Sequence, residues 1–194
     1  MLIRLGYDII FETPIPVPFV TLLQVHPSRF GDLREPDVLT IEPFVKIDCF
    51  YDTFGNNCCR FLAPGGPIRL TNSTLIYDTG EPDPVAPDAR EIPVQELPHD
   101  VLRYLLNSRY CEVDRMSNIA VELFGGIAPG WGRVKAICNW VHEKVTFGYH
   151  HANAQKTALD VFTYRFGVCR DFQHLAVTMC RALNIPARYA TGYL

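Results

Sequence analysis

A proline-rich segment divides this sequence into two halves that follow different patterns. Residues 81–98 contain five prolines among several charged residues. Proline has no backbone N–H and a fixed φ, so such a segment forms neither a regular helix nor a central strand. We therefore predict a linker over residues 81–98, between a first domain at residues 1–80 and a second at residues 99–194.

The first half alternates apolar and polar residues with the two-residue period of β-strands. Stretches rich in β-branched and aromatic residues are separated by Pro, Gly and Asn turns, and they lie at 2–12, 19–26, 38–52, 59–62 and 68–79. Turn residues between short alternating runs are typical of antiparallel sheets. This half is predicted to form an antiparallel β-sandwich or an open barrel.

The second half has the period of helices, because its apolar residues recur every three or four positions. We predict helices at 101–106, 131–145, 156–164 and 170–183, followed by a strand at 188–194. The two halves together predict an α+β chain, in which a β domain precedes a mainly helical core.

Charge and composition exclude several classes of partner. A net charge of −3 gives no electrostatic reason to expect nucleic acid or an anionic membrane. The apolar runs are shorter than the roughly 18 residues that a membrane-spanning helix needs. We therefore expect a cytoplasmic protein that binds neither nucleic acid nor membrane.

The seven cysteines do not form a recognisable framework. Their number is odd, and Cys58 and Cys59 are adjacent, which argues against the paired disulfides of a secreted domain. The sequence has no CxxC pair and no His/Cys cluster with zinc-ligand spacing. We predict no metal and no cofactor.

Cys169 carries the clearest indication of chemistry. Gly167 permits a tight turn before a helix, which puts Cys169 in the first turn of that helix. The partial positive charge at a helix N-terminus favours the nucleophilic thiolate, and free N–H groups there can hold an acyl oxyanion. Without further information, an inert buried cysteine remains the alternative.

Two stretches resemble the transglutaminase-like superfamily of cysteine-nucleophile enzymes. They are FGVCRDFQHLAVTMCRALNIPARYATGYL at 166–194 and WVHEKVTFGYHHANAQKTALDVF at 140–162. The β-rich half, with YDTFGNN at 51–57, resembles the N-terminal domain often fused to bacterial members. The resemblance implies a papain-like core with Cys169 as the nucleophile, as in bacterial transglutaminase-like cysteine proteases.

The same resemblance raises a question about the catalytic partners. Members of the superfamily carry a Cys-His-Asp triad whose histidine and aspartate follow the Gly-Tyr segment, here Gly192-Tyr193. The sequence ends one residue later, which implies a chain cut off before both partners and inactive alone. His150 and His151, in a polar loop, are alternative in-chain bases, and Tyr149 is a candidate oxyanion donor. The plainer interpretation is two solvated histidines and a packing tyrosine.

Two further polar residues of the Cys169 segment have structural interpretations. His174 lies five residues after Cys169, about 140° around the helix and roughly 7.5 Å along it. We expect a hydrogen-bonded structural histidine there, not the base. Asp171, in the first turn, is expected to complement the helix dipole.

The predicted function is thiol-dependent acyl transfer on amide bonds through a Cys169 thioester. Water as the acceptor gives a cysteine protease or amidase, and lysine gives a transglutaminase; the substrate is a peptide or protein amide. The alternative is a non-catalytic protein-binding module built on a transglutaminase-like scaffold. The apolar edge of the predicted strand at 188–194 also leads us to expect self-association through the C-terminal strand.

Overall fold

The computed structural model of the protein describes residues 1–193. Six strands come first: β1 (Leu2–Thr13), β2 (Val17–Thr21), β3 (Thr40–Glu42), β4 (Asp48–Tyr51), β5 (Asn57–Ala63) and β6 (Gly66–Tyr77). They form two antiparallel three-stranded sheets, ordered β1-β6-β3 and β2-β5-β4. The predicted antiparallel strands are confirmed, whereas the sandwich or barrel closure remains a prediction.

Both sheets contribute to a single apolar cluster. Its buried members are Leu39, Ile41, Cys59, Phe61, Ala63, Ile68 and Leu70. Alternate residues of β5 (Cys59, Phe61 and Ala63) and of the first part of β6 (Ile68 and Leu70) enter this cluster, as expected for sheets with one buried face.

Polar turn chemistry closes the β4–β5 hairpin. The Asp52 carboxylate accepts the N–H groups of Phe54 at 2.8 Å and Asn56 at 2.9 Å. Gly55 has a φ of +82°, a conformation that glycine adopts without steric cost. The turn therefore fixes which residues of β4 and β5 face each other.

The second half of the described chain is mainly helical. Its elements are α1 (Val113–Phe124), α2 (Trp131–Lys144), β7 (Thr146–Phe147), α3 (Ala158–Tyr164), β8 (Phe166–Gly167) and α4 (Cys169–Ala182). The helices share one core, whose most buried members are Met116, Ala120, Ile137, Ala158, Val161, Leu175 and Met179. The short strands β7 and β8 pair in parallel, directly before α4. The α+β class is confirmed.

Short 3-10 turns complete the secondary structure. They span Pro27–Asp32, Val94–Glu96, Leu102–Leu105 and Tyr149–His151. The predicted helix at 101–106 is therefore a single 3-10 turn. In the part of the chain that the structure describes, no helix is both long and apolar enough to cross a bilayer.

Helix α1 was not predicted from the sequence. Its buried residues Met116, Ala120 and Phe124 recur at helical spacing, and Val113 extends the same face. The periodic signal was present, but the helix begins without a Ser, Thr, Asp or Asn cap, since Glu112 precedes it and makes no capping bond.

The predicted strand at 188–194 is wrong over residues 188–193, where the chain has no strand pairing; residue 194 lies outside the described residues. Side chains and a turn provide the hydrogen bonds instead. The Ala187 N–H donates to the carbonyl of Tyr104, and the Ala190 N–H donates to the side chain of Gln173. The apolar strand edge that motivated self-association is therefore absent from residues 188–193, and self-association itself stays a prediction.

Two compact units make up the chain. One contains residues 1–83 and 192–194, and the other contains residues 84–191. Part of the predicted linker is bound within the second unit, because the Trp131 N–H donates to the Ala89 carbonyl and Arg133 pairs with Glu91 at 3.1 Å. Residues 80–88 are exposed throughout. The predicted domain boundaries themselves stay predictions, and proteolysis can test them.

We expect elastase to cut this chain first after Val85, whose side chain is 73% exposed. Exposed backbone without regular structure fits a protease cleft, whereas strands and helices must first unfold. Intact-mass analysis of a time course should show fragments 1–85 and 86–194 as the earliest products. The variant V85D, which removes the preferred side chain, should lose this cut. An earlier cut inside β1 or α2 would contradict the prediction.

Candidate active site

Cys169 is the first residue of α4 and is exposed. Its position in the first helical turn agrees with the sequence expectation, and it is not buried. Its role as the nucleophile stays a prediction. Four other thiols, Cys58, Cys59, Cys111 and Cys180, are buried. Burial raises the pKa of Cys59 and of Cys180 to about 12 in each case, which suppresses their thiolates at neutral pH.

A buried carboxylate fixes the start of α4. Asp171 is 0% exposed, and its Oδ2 accepts the backbone N–H of Val168 at 3.0 Å. That bond satisfies a donor at the residue that caps the helix, so Asp171 does more than complement the helix dipole. It holds the residue before Cys169 against the first turn.

Two cations compensate the charge of Asp171. Arg170 donates to Oδ1 from Nη2 at 2.9 Å and from Nε at 3.1 Å, and Nζ of Lys156 lies 3.8 Å from Oδ2. A buried carboxylate without such partners would carry a large desolvation penalty. The negative charge two residues from Cys169 is thus largely neutralised.

Gly167 provides the space that Asp171 occupies. A Cβ atom at residue 167 would lie 2.6 Å from Cβ and 2.7 Å from Oδ2 of Asp171. The tight turn predicted at Gly167 does not require glycine, because Gly167 is not among the residues of positive φ. Close approach of the Asp171 side chain, and not an unusual backbone conformation, is what requires glycine here.

Lys156 was not anticipated from the sequence. It is buried, and its ammonium group donates to the carbonyls of His151 at 3.0 Å and Phe166 at 3.1 Å. Its Nζ also lies 4.5 Å from the centroid of the Phe166 ring. Lys156 therefore ties the loop after β7 to the strand that leads into Cys169. No sequence pattern marks a lysine for this role, since its burial depends on the folded neighbours.

The three candidate residues of that loop form the 3-10 turn Tyr149–His151. The turn is next to β8, because the Gly148 N–H donates to the Gly167 carbonyl at 3.0 Å. Tyr149 is exposed and packs edge-on against Phe147.

The two loop histidines contact each other, with ring centroids 3.8 Å apart, and His151 stacks on Phe166 at 4.2 Å. Partial desolvation and the charges of His150 and Lys156 lower the pKa of His151, which favours its neutral form. Among residues 1–193, no hydrogen bond joins Tyr149 or either histidine to the Cys169 sulfur. Their catalytic roles stay predictions.

His174 is held between two aromatic rings. It stacks on Tyr110 with centroids 5.1 Å apart, and it contacts Tyr189 at 5.4 Å. We expected a hydrogen-bonded histidine, but Nδ1 is buried and has no hydrogen-bond partner in the described chain. Burial, together with the positive charge of Arg170, lowers the pKa of His174. Aromatic stacking positions the ring.

Tyr189 is a second residue that sequence reasoning missed. Burial raises the pKa of its hydroxyl, and its ring contacts that of His174 with centroids 5.4 Å apart. Its backbone is held near α4 by the bond from the Ala190 N–H to Gln173. The segment after α4 therefore packs back against α4.

Residues 1–193 contain no group of three or more His, Cys, Asp or Glu side chains arranged to hold a metal ion. The described site presents an exposed thiol at a helix N-terminus, next to a compensated buried carboxylate.

Substitution G167A should destabilise the protein by about 1–3 kcal/mol, the usual cost of overpacking a filled site. The added methyl group would displace the Asp171 side chain from Val168. Urea unfolding of G167A measures the loss. The control is G132A in α2, where an added Cβ has no neighbour within 4 Å. Equal stability of G167A and the parent chain would refute the steric argument.

Comparison with known proteins agrees with this geometry. Residues 117–194 match the family model of the transglutaminase-like superfamily. Over 61 residues the chain is 34% identical to the uncharacterized protein ML0607 of Mycobacterium leprae (strain TN). That stretch is 31% of this chain and 22% of the curated relative, so the match spans about a fifth of the relative's length.

A solved structure extends the similarity to the β-rich half. It is the crystal structure of a protein from Cytophaga hutchinsonii that is described as a candidate cysteine protease. The TM-score is 0.78 at 27% sequence identity, and the match covers 96% of this chain and 67% of the other. Residues 117–194 therefore resemble the transglutaminase-like superfamily, and the common fold extends over nearly the whole chain.

Proposed function

We propose that this protein carries out thiol-dependent acyl transfer on peptide or protein amides, with Cys169 as the nucleophile. The sulfur attacks the amide carbonyl carbon, the C–N bond breaks, and the amine departs with a proton. The resulting thioester on Cys169 is then cleaved by water or by a second amine, which returns the free thiol. The exposed thiol at the start of α4 is the observation that carries this proposal.

The local electrostatics support an attacking thiolate at this position. Backbone N–H groups of the first turn of a helix lack intrahelical partners and carry a partial positive charge. The same groups suit the oxyanion that forms when the carbonyl is attacked. The ion pairs of Asp171 with Arg170 and Lys156 reduce the opposing effect of the nearby carboxylate.

Hydrolysis is the favoured outcome of the thioester. The partition between water and a lysine amine depends on the acceptor site, and the resemblance to bacterial cysteine proteases favours water. The structural neighbour is itself described as a candidate cysteine protease, which also favours hydrolysis. We therefore propose a protease or amidase in preference to a transglutaminase.

The 194-residue chain by itself is proposed to form the acyl-enzyme without turning over amides. Amide cleavage needs a base for the thiol and an acid for the leaving amine. His150 and His151 would have to supply both, although neither bonds the Cys169 sulfur in the described residues. Nitrophenolate leaves without being protonated. An activated nitrophenyl ester therefore tests the nucleophile by itself, without acid–base catalysis.

Incubation of the chain with p-nitrophenyl acetate should acetylate Cys169 in preference to the other thiols. Intact mass and peptide mapping would show one acetyl group per chain, and the variant C169S should show none. The matched control is C138S, because Cys138 is also exposed and lies in α2, but burial of its sulfur raises its pKa. Acetylation of Cys49 or Cys138 before Cys169 would contradict the assignment. An unreactive Cys169 would favour the non-catalytic binding module.

A fluorogenic peptide amide should not be turned over by the same preparation, although Cys169 is acylated by the ester. Release of the amine would be followed in the parent chain, in C169S, and in H150A and H151A. Turnover that disappears in C169S and in one histidine variant would replace this proposal with an in-chain base. Turnover unaffected by C169S would indicate a contaminating enzyme.

A further inference from the structure

A second pair of thiols lies in the β-rich half, unrelated to Cys169. Cys49 of β4 and Cys59 of β5 are opposite each other in the antiparallel register. Their sulfur atoms are 2.9 Å apart. Both residues have free thiols in this structure.

The hairpin places this pair at a position that suits a disulfide. The Asp52 N–H donates to the Asn56 carbonyl at 3.1 Å, so residues 52 and 56 are a hydrogen-bonded pair in the same register. Hydrogen-bonded and non-hydrogen-bonded pairs alternate along an antiparallel ladder. Cys49 and Cys59, three pairs further on, are therefore a non-hydrogen-bonded pair, with Cα atoms about 4.5 Å apart. Disulfides span Cα separations of about 4.4–6.8 Å.

We propose that Cys49 and Cys59 form a reversible cross-strand disulfide when the protein meets a small-molecule disulfide such as glutathione disulfide. The proposal does not depend on the acyl-transfer function, because neither residue belongs to the Cys169 site. It also differs from the disulfide framework that the cysteine count excludes, since it concerns one bridge within one hairpin.

The surroundings of the two sulfur atoms determine which thiol reacts first with the oxidant. Cys49 is exposed, so its thiolate attacks one sulfur of the oxidant, breaks the S–S bond and releases one thiolate. Cys59 is buried; burial, and then the neighbouring Cys49, raise its pKa to about 12, and its thiol donates to the Gln24 side chain at 3.2 Å. It cannot reach the oxidant first, but it faces the mixed disulfide on Cys49.

The second step closes the bridge. Cys59 loses its proton to water, its thiolate attacks the Cys49 sulfur, and the second small thiolate leaves. The two protein thiols are oxidised by two electrons in total. One molecule of the small disulfide is reduced to two thiols, which take up the two protons.

Cys58 is a control that the sequence itself provides. It is adjacent to Cys59, but its partner across the hairpin is Phe50 and its side chain points to the opposite face of the sheet. Its thiol contacts the Asn56 carbonyl at 3.7 Å. Cys58 and Cys59 are thus both buried, but their side chains lie on opposite faces of the sheet.

The bridge would join an edge strand to its sheet. In the order β2-β5-β4, strand β4 has one neighbour, which is β5. A disulfide that closes this short loop restricts the unfolded chain. We expect the melting temperature of the β-rich unit to rise by about 10 °C on oxidation and to return on reduction.

The experiment uses the full chain carrying C169S, so that the site thiol does not compete. After incubation with glutathione disulfide at pH 8, the remaining thiols are alkylated and the protein is analysed by mass spectrometry. We expect the protein to lose two free thiols and to retain no glutathione. The tryptic peptide 47–60 should contain one alkylated cysteine. The C58S variant should behave identically, and its peptide 47–60 should carry no alkylation.

Variants of the two bridge residues decide the assignment. The C59S variant should retain one glutathione, bound to Cys49. The C49S variant should form no disulfide in this hairpin and bind no glutathione there. C49S changes an exposed residue, so it keeps the test valid if C59S fails to fold. A bridge that persists in C49S or is lost in C58S would overturn the proposal, as would retention of all thiols in the parent chain.

Discussion

The contact on which the second half of this protein depends is between the buried Asp171 carboxylate and the Val168 N–H. It fixes the first turn of α4 and so sets the position of Cys169. Because the carboxylate is fully buried, it requires the cations of Arg170 and Lys156, and because it approaches the backbone closely, it requires Gly167. One buried acid thus explains several residues of the motif around Cys169.

The protein has two thiol environments with opposite physical properties. Cys169 is exposed at a helix N-terminus, where backbone N–H groups carry a partial positive charge. Cys59 lies inside the β-rich half, where burial favours the protonated thiol, and its nearest thiol is that of Cys49. The reactivity proposed at the first position rests on the helix N-terminus, whereas that proposed at the second rests on proximity across a hairpin. The sequence predicts the first environment, but the second depends on the pairing register of β4 and β5.

Secondary structure could be predicted where local pattern and packing agree. The helix predicted at 131–145 corresponds to α2 at Trp131–Lys144, and the helix at 170–183 corresponds to α4. The prediction failed where pairing with a distant segment decides the outcome. Residues 188–193 have apolar and aromatic character suited to a strand, but the Ala190 N–H donates to the Gln173 side chain and not to a neighbouring strand. Local preference cannot reveal that.

The sequence by itself determined the α+β class, the change from strands to helices, and Cys169 at the start of its helix. These follow from periodicity, glycine placement and motif, which are local. Only the tertiary structure decided that Lys156 is buried against Asp171, that Tyr189 contacts His174, and that Cys49 faces Cys59. Such relations join residues separated by ten or more positions, and packing of the whole fold, not neighbouring residues, sets their distances.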